Sequence, residues 1–591
     1  VLDNGFVWDD DDYVTANPTL RSADGLRRIW LEPGAVPQYY PLTFTTLWID
    51  YQIGGLNPFG YHLVNVLLHG LSAVLVWLVL RALHVPGAWL AGALFAVHPV
   101  HVESVAWITE RKNVLSGALY LGAMLAYLRF AGFGDAAQAE PRDARSGALY
   151  ALSLALFVCG LLAKTVVCTL PAALLLILWW RRGRAVTREI VPLLPFFAIG
   201  LVLALVTVEV ERRFVGAAGA DWQLSFVERC LIAGRAVWFY LGKLVWPSPL
   251  VFFYPRWTID ASAAWQYAFP LAALAVAAIL LALYRRIGLG PFVAFAFFVA
   301  TLGPALGFVD VFPMRYSFVA DHFQYLASLG PIVLAAALAT LLARRAQRNA
   351  RQVATAVGVV VVAVLAVLTA RQSEAYRDLR TLWEDTLAKN PGAWMAHNNL
   401  GLLHMSEGRP ETALAHYRAA IGVKPDDAFA YNNLGHTLAT LGRMDEAVRA
   451  LEQAVRIEPR NVEAWSNLGN AHAARQRWDD ALAAYQRALE VRPSFADAWG
   501  NVGNVFFLTG RRDDAIGAYE RALALDPGFA DARRNLALAL ADAGRLGDAA
   551  AQLEIALQLR PGWRDAEQDL ARVRAASGGA ATPPADDGAS R

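Results

Sequence analysis

An all-α protein in two unlike halves is what this sequence predicts: polytopic membrane helices over residues 1–370, followed by an α-solenoid of short helical repeats. Three observations predict it. First, the 591-residue chain is 56% hydrophobic and only 18% charged, against about 45–50% and about 25% in ordinary soluble domains. Second, residues 62–370 hold nearly all of the long uncharged runs, while 371–591 are rich in Ala, Arg, Asp and Glu. Third, a 34-residue spacing runs from residue 394 onward. The same composition excludes other classes. A net charge of +2, with basic residues in short loop clusters, gives no nucleic-acid surface. Three cysteines, Cys159, Cys168 and Cys230, build neither a disulfide framework nor a zinc site.

The chain opens at Val1 in a polar loop with no initiator Met and no cleavable signal. That reads as a missing first span. A bilayer-spanning helix needs roughly 20 apolar residues. The candidates are 62–83, 87–101 (short), 113–130, 147–163, 165–180, 189–208, 263–284, 290–308, 323–343 and 352–370, ten in all. The stretch 228–246 carries Arg235 and Lys243 and reads as a helix lying in the interface. One set of connections is short and Arg-dense: Arg81, the 129–146 loop, Arg181, Arg182, Arg184 and Arg188, Arg285 and Arg286, and Arg344 to Arg351. The other set is long (1–61, 209–262, 309–322) and sparse in basic residues. By the positive-inside rule the Arg-dense side is cytoplasmic. Val1 and the C-terminal half then lie outside, and a span before Val1 makes eleven.

Residues 371–393 read as a connecting helix. Beyond it, Pro391, Pro425, Pro459, Pro493, Pro527 and Pro561 recur at the 34-residue period. So do Asn399, Asn433, Asn467, Asn501 and Asn535, with Gly401, Gly435, Gly469 and Gly503 two residues on. Ala413, Ala447, Ala481, Ala515 and Ala549 mark a second helix, where small side chains let two antiparallel helices approach. This is the spacing of the tetratricopeptide repeat. Five copies fill 394–563, a capping helix follows at 564–575, and the tail 576–591 is expected to be disordered. Each Asn of the ladder offers an amide donor and acceptor to an extended peptide on the concave face; Asn is also simply frequent at this helix position.

Chemistry is expected on the outer side. Asp9, Asp10, Asp11 and Asp12 are consecutive carboxylates that repel one another. They are either a solvated acidic loop or are supplied with a cation or proton. A second cluster, H-P-V-H-V-E-S-V-A-W-I-T-E-R-K-N from His98, sets His98, His101, Glu103, Arg111 and Lys112 near the membrane boundary. Snorkelling accounts for Arg111 and Lys112, less well for His101 and Glu103. A third, R-Y-S-F-V-A-D-H-F-Q-Y-L from Arg315, enters the ninth span from the same side and carries Asp321, His322 and Tyr325.

These motifs carry a resemblance. F-V-W-D-D (Phe6–Asp10), H-P-V-H-V-E-S-V-A (His98–Ala106) with Arg111 beyond, A-D-H-F-Q-Y-L-A-S-L-G (Ala320–Gly330), and L-W-E-D-T before the repeats resemble the transmembrane and tetratricopeptide-repeat O-mannosyltransferases and their bacterial relatives. That family lies within the lipid-sugar-dependent glycosyltransferases of GT-C fold. The resemblance implies a polyprenyl-phosphate sugar donor, mannose as first choice, and a protein hydroxyl as acceptor. It also implies inversion at the sugar and a catalytic carboxylate in the first outer loop, by position Asp9 or Asp10. Asp9 is then the base, Asp10 positions acceptor or metal, and Arg111 and Arg315 hold phosphate. His101 and Glu103 shape the sugar site, with His98, Lys112, Asp321, His322 and Tyr325 beside them. An Arg common in relatives is His322 here, and a Pro is Ala327. The phosphate role of that Arg then falls to Arg315, Arg111 or a protonated His322. The tetra-Asp run could bind a divalent cation through oxygen ligands; no other cofactor is expected. Ala, Arg and Gly usage hints at a GC-rich bacterial genome, so the expected location is a bacterial inner membrane, with repeats and catalytic loops placed on the extracytoplasmic side by the charge distribution. The competing readings are a non-enzymatic repeat scaffold for envelope proteins, and a transporter. A transporter calls for mid-membrane polar residues and inverted repeats, which the sequence does not display.

Overall fold

The computed structural model describes residues 1–134, 144–183, 190–210, 212–213, 223–310 and 312–578. The expectations for most of the 129–146 loop, for Arg184 and Arg188, and for the tail beyond 578 lie outside these residues. Among the described residues every regular element is helical. The chain divides into two compact units, Val1–Ala393 and Trp394–Arg591.

In the first unit, all ten apolar segments contain helix, but among the described residues five helices are both long and apolar enough to cross a membrane. They are Pro58–Ala82, Thr165–Arg182, Val191–Val210, Ala264–Ala282 and Arg348–Glu374. Ala88–Val97, Gly147–Ala163 and Gly290–Ala305 are apolar but shorter. The difference from a count of ten has local causes. His98 accepts from Val100 N–H and Pro99 opens a 3-10 turn, so the helix from Ala88 ends at Val97. Residues 321–324 form another 3-10 turn, and helix resumes only at Leu329. Pro58–Ala82 shows how a long span starts: Asn57 caps Phe59 N–H and Pro58 needs no donor at the first helical position. The predicted interfacial stretch is the helix Phe226–Val245, opened by a reciprocal capping box between Ser225 and Glu228.

The broken stretch 98–110 matters most for function. It consists of a 3-10 turn Pro99–His101, a short helix Val102–Ala106 and a second 3-10 turn Ile108–Glu110, all buried. Irregular backbone is tolerated at membrane depth only where protein encloses it. Here the helices Pro58–Ala82 and Arg111–Phe130 enclose it. Gly117 on the latter allows the Tyr325 ring in: a Cβ there would meet Cε1 at 2.6 Å.

The second unit is five antiparallel helix pairs, from Trp394–Ser406 with Pro410–Val423 to Ala530–Asp542 with Leu546–Leu559, closed by Arg564–Gly578. The recurring glycine is explained by its neighbour in the second helix. Tyr417, Tyr485 and Tyr519 lie flat over Gly401, Gly469 and Gly503, where an added Cβ would come within 2.4–2.6 Å of a ring carbon.

Candidate active site

The acidic run does not act as a unit. Asp10 is fully buried, and its carboxylate accepts from Val7 N–H (2.8 Å), Thr109 N–H (2.8 Å) and Thr109 Oγ1 (2.7 Å). It pins the first loop to the 3-10 turn Ile108–Glu110. Asp9 turns the other way: its Oδ1 accepts from Trp107 Nε1 at 3.0 Å, and Lys112 faces it. Asp11 accepts from its own loop at Thr15, and Asp12 lines a surface cavity of about 350 Å³ with Asn17 and Val36. Burial lifts both Asp9 and Asp10 to about 7; for Asp9 the Lys112 ammonium opposes this and the Asp10 charge adds to it.

Beside Asp9 lies a nest of charge. Glu110, almost wholly buried, receives Lys112 Nζ at 3.1 Å and Lys164 Nζ at 3.2 Å, with His322 Nε2 at 3.9 Å. Burial would raise this carboxyl, but His322, Lys112 and Lys164 override it and hold it well below the carboxylate range. Lys164 also donates to Asn113 Oδ1 at 2.7 Å. Lys112 lies over the Tyr13 ring and reaches towards Gln38. Glu103 accepts from His322 N–H at 2.8 Å, and its other oxygen lies 3.1 Å from His322 Nδ1, off the line of a hydrogen bond. Asp321 accepts from Tyr254 OH, and burial beside Glu103 lifts its carboxyl well above the usual range.

The three motifs therefore meet: Asp9 and Asp10 on 107–112, and 103–110 on His322. Other expected residues point elsewhere. Arg111 is fully buried and donates to Asp50 (2.8 Å), the Tyr61 carbonyl (2.8 Å) and Asn65, which locks helices together rather than facing the lysines. His101 bridges the Phe95 carbonyl and Ser328, His98 meets the Leu244 carbonyl, and Tyr325 OH meets His69. Arg315 is half-buried at the end of the turn Phe312–Arg315. Among the described residues no group of three or more His, Cys, Asp or Glu is arranged to hold a metal ion.

Sequence reasoning missed Lys164, Glu110 and Thr109. The signal for Lys164 was present: one ammonium set between two apolar runs is costly unless paired. Glu110 lay inside a quoted motif but had no visible partner in sequence.

In the repeats, the amide donors of the ladder are used internally. Asn433 donates to Asn398 Oδ1 (3.0 Å), Asn467 to Asn432 Oδ1 (2.9 Å), Asn535 to Asn504 Oδ1 (2.9 Å) and Asn399 to the Met395 carbonyl (2.9 Å); Asn501, like them, is half-buried.

Tetratricopeptide-repeat models match residues 392–459, 432–494, 468–528 and 503–562. Among solved structures, a thermophilic tetratricopeptide-repeat protein of Thermus thermophilus is 28% identical, with TM-score 0.29, over 31% of this chain and all of that one. The chain is 41% identical over 140 residues to the protein O-mannosyl-transferase Tmtc1 of Drosophila melanogaster, covering 22% of this chain and 16% of that protein. It is 40% identical over 98 residues to human protein O-mannosyl-transferase TMTC2 (16% and 12%) and 33% identical over 138 residues to human TMTC3 (22% and 15%). The chain thus spans 12–16% of the length of these relatives. It carries tetratricopeptide repeats over residues 392–562 and, over 16–22% of its length, is similar to protein O-mannosyl-transferases.

Proposed function

We propose that this protein transfers a sugar, mannose as first choice, from a polyprenyl phosphate to a hydroxyl on a protein at the extracytoplasmic face. Asp9 is the general base and the repeats hold the acceptor or a partner. The observation that carries the reading is the pairing of Asp9 with the Glu110 nest. A half-buried carboxyl raised to about 7 stands beside two lysines and a histidine gathered on one acid.

The chemistry asks for that pairing. The acceptor oxygen attacks the anomeric carbon and gives its proton to Asp9. The new bond forms as the bond from anomeric carbon to phosphate oxygen breaks, with inversion, and the electron pair departs with the phosphate. Lys112 and Lys164 supply cationic charge where that oxygen becomes negative, with the His322 imidazole beside them. Arg111 has a different part: with its donors engaged by Asp50 and Tyr61, it keeps the framework rigid. The convergence of three polar motifs supports a transferase over a passive scaffold.

The test is transfer of radiolabelled mannose from polyprenyl-phosphate mannose to protein in membranes. Asp9→Asn should reduce transfer by about 10²-fold or more at unchanged expression. Wild-type transfer should rise with pH through about 7 as Asp9 ionises. Full activity of the Asn variant would remove Asp9 from the mechanism.

A further inference from the structure

A bulky residue with left-handed backbone sits next to the proposed base. Trp8 has φ 46°, a region that aromatic residues avoid and that persists only where the surroundings enforce it. The surroundings here are a socket of five rings. Trp107 stacks on Trp8 with centroids 5.4 Å apart. Phe252, Phe253, Tyr316 and Trp383 meet it edge-on at 5.4, 5.3, 6.0 and 6.2 Å. The socket is itself fastened: Lys389 donates to the Leu250 carbonyl and Asn390 to the Phe253 carbonyl. The ring that stacks on Trp8 is also the one whose Nε1 donates to Asp9.

We propose that Trp8 is the positioning residue for Asp9. Its caged ring enforces the backbone turn that sends the Asp10 carboxylate inward to Thr109 and the Asp9 carboxylate out to Trp107 and Lys112. The same ring seals the side of Asp9 away from the lysines. Without it, nothing in the loop sends two adjacent carboxyls to different partners. The titratable groups facing Asp9 are Asp10 on its own loop, Tyr13, and Glu110 and Lys112 across from it. None of them changes when the Trp8 ring is removed. What Asp9 does rests on the reading above; how it is held does not.

The experiment needs no substrate. Dicyclohexylcarbodiimide attacks protonated carboxyls, so labelling of Asp9 and Asp10 in the full chain in lipid nanodiscs, located by tandem mass spectrometry from pH 5 to 9, reports each midpoint. In Trp8→Gly the left-handed turn becomes strain-free while the socket empties and admits water. The Asp9 midpoint should then fall by at least one pH unit from its wild-type position, with Asp10 unmoved. Trp8→Phe should restore the wild-type midpoint. If Trp8→Gly does not fold, Trp383→Leu, which removes one wall, should move Asp9 the same way by less. An unmoved Asp9 midpoint in a folded variant overturns the proposal. So does a shift of Asp9 and Asp10 together, which would report general loosening. Loss of transfer in Asp9→Asn alongside an unmoved midpoint in Trp8→Gly would sink this inference alone.

Discussion

Lys164 occupies a break in the apolar sequence, on an extended residue between the helix ending at Ala163 and the 3-10 turn Thr165–Thr169. Its ammonium reaches both Glu110 and Asn113, so a Lys164→Gln variant keeps a polar contact while removing one of the charges around Glu110. In a transfer assay it should raise the KM for polyprenyl-phosphate mannose about tenfold or more with a smaller change in kcat. An unchanged KM would place the donor phosphate elsewhere. Linkage gives a second readout for the base. Burial raises Asp9 above its unfolded value of 3.8 to about 7, so its contribution favours the fold below about pH 4 and is lost as pH rises through 7. Asp9→Asn should therefore raise the unfolding temperature more at pH 8 than at pH 5. The sequence showed four carboxylates and two basic neighbours at the right motifs. It could not show that Asp9 and Asp10 part company, because that depends on a backbone turn fixed by rings from residues 107, 252, 253, 316 and 383.

At the scale of elements, apolar run length located each of the five long apolar helices found among the described residues, and overran where a run bends. At 99–101 the bend was hinted at by Pro99 and its flanking histidines. The repeats were far more legible, since each 34-residue copy repeats one packing problem. Alanine was read there as the aid to close helix approach, and glycine only as part of the spacing. The structure makes the glycine a seat for a tyrosine, whose hydroxyl in two copies also donates to an Asn, Tyr485 to Asn470 and Tyr519 to Asn504. Gly469→Ala would set a methyl 2.4 Å from Tyr485 Cε1, and should destabilise the repeats by about 1–3 kcal/mol. Chemical denaturation followed by circular dichroism reads this directly. Gly544→Ala offers no useful control because a φ of +78° is strained for alanine; Gly517→Ala, with open space around it inside the helix Arg512–Leu525, is the comparison and should stabilise by about 1 kcal/mol.

As a whole molecule, the chain joins a unit that needs lipid to one that does not. Helices Ala264–Ala282 and Arg348–Glu374 keep only 6% and 0% of their apolar windows buried. The repeats close their own cores, from Ala413, Leu414 and Tyr417 in the first pair to Leu553, Leu570 and Val573 at the end. A 394–578 fragment should accordingly be soluble without detergent and unfold as a helical protein. Aggregation of that fragment would mean its stability is borrowed from the rest of the chain. The helix Arg348–Glu374 carries one further implication. Its apolar window is left uncovered by the protein, yet its far end is stitched to the opening loop: Asn4 donates to the Ser373 carbonyl and Gly5 N–H to the Arg377 carbonyl. A change in the tilt of this helix would therefore be felt first at residues 4 and 5, in the loop that carries Asp9 and Asp10.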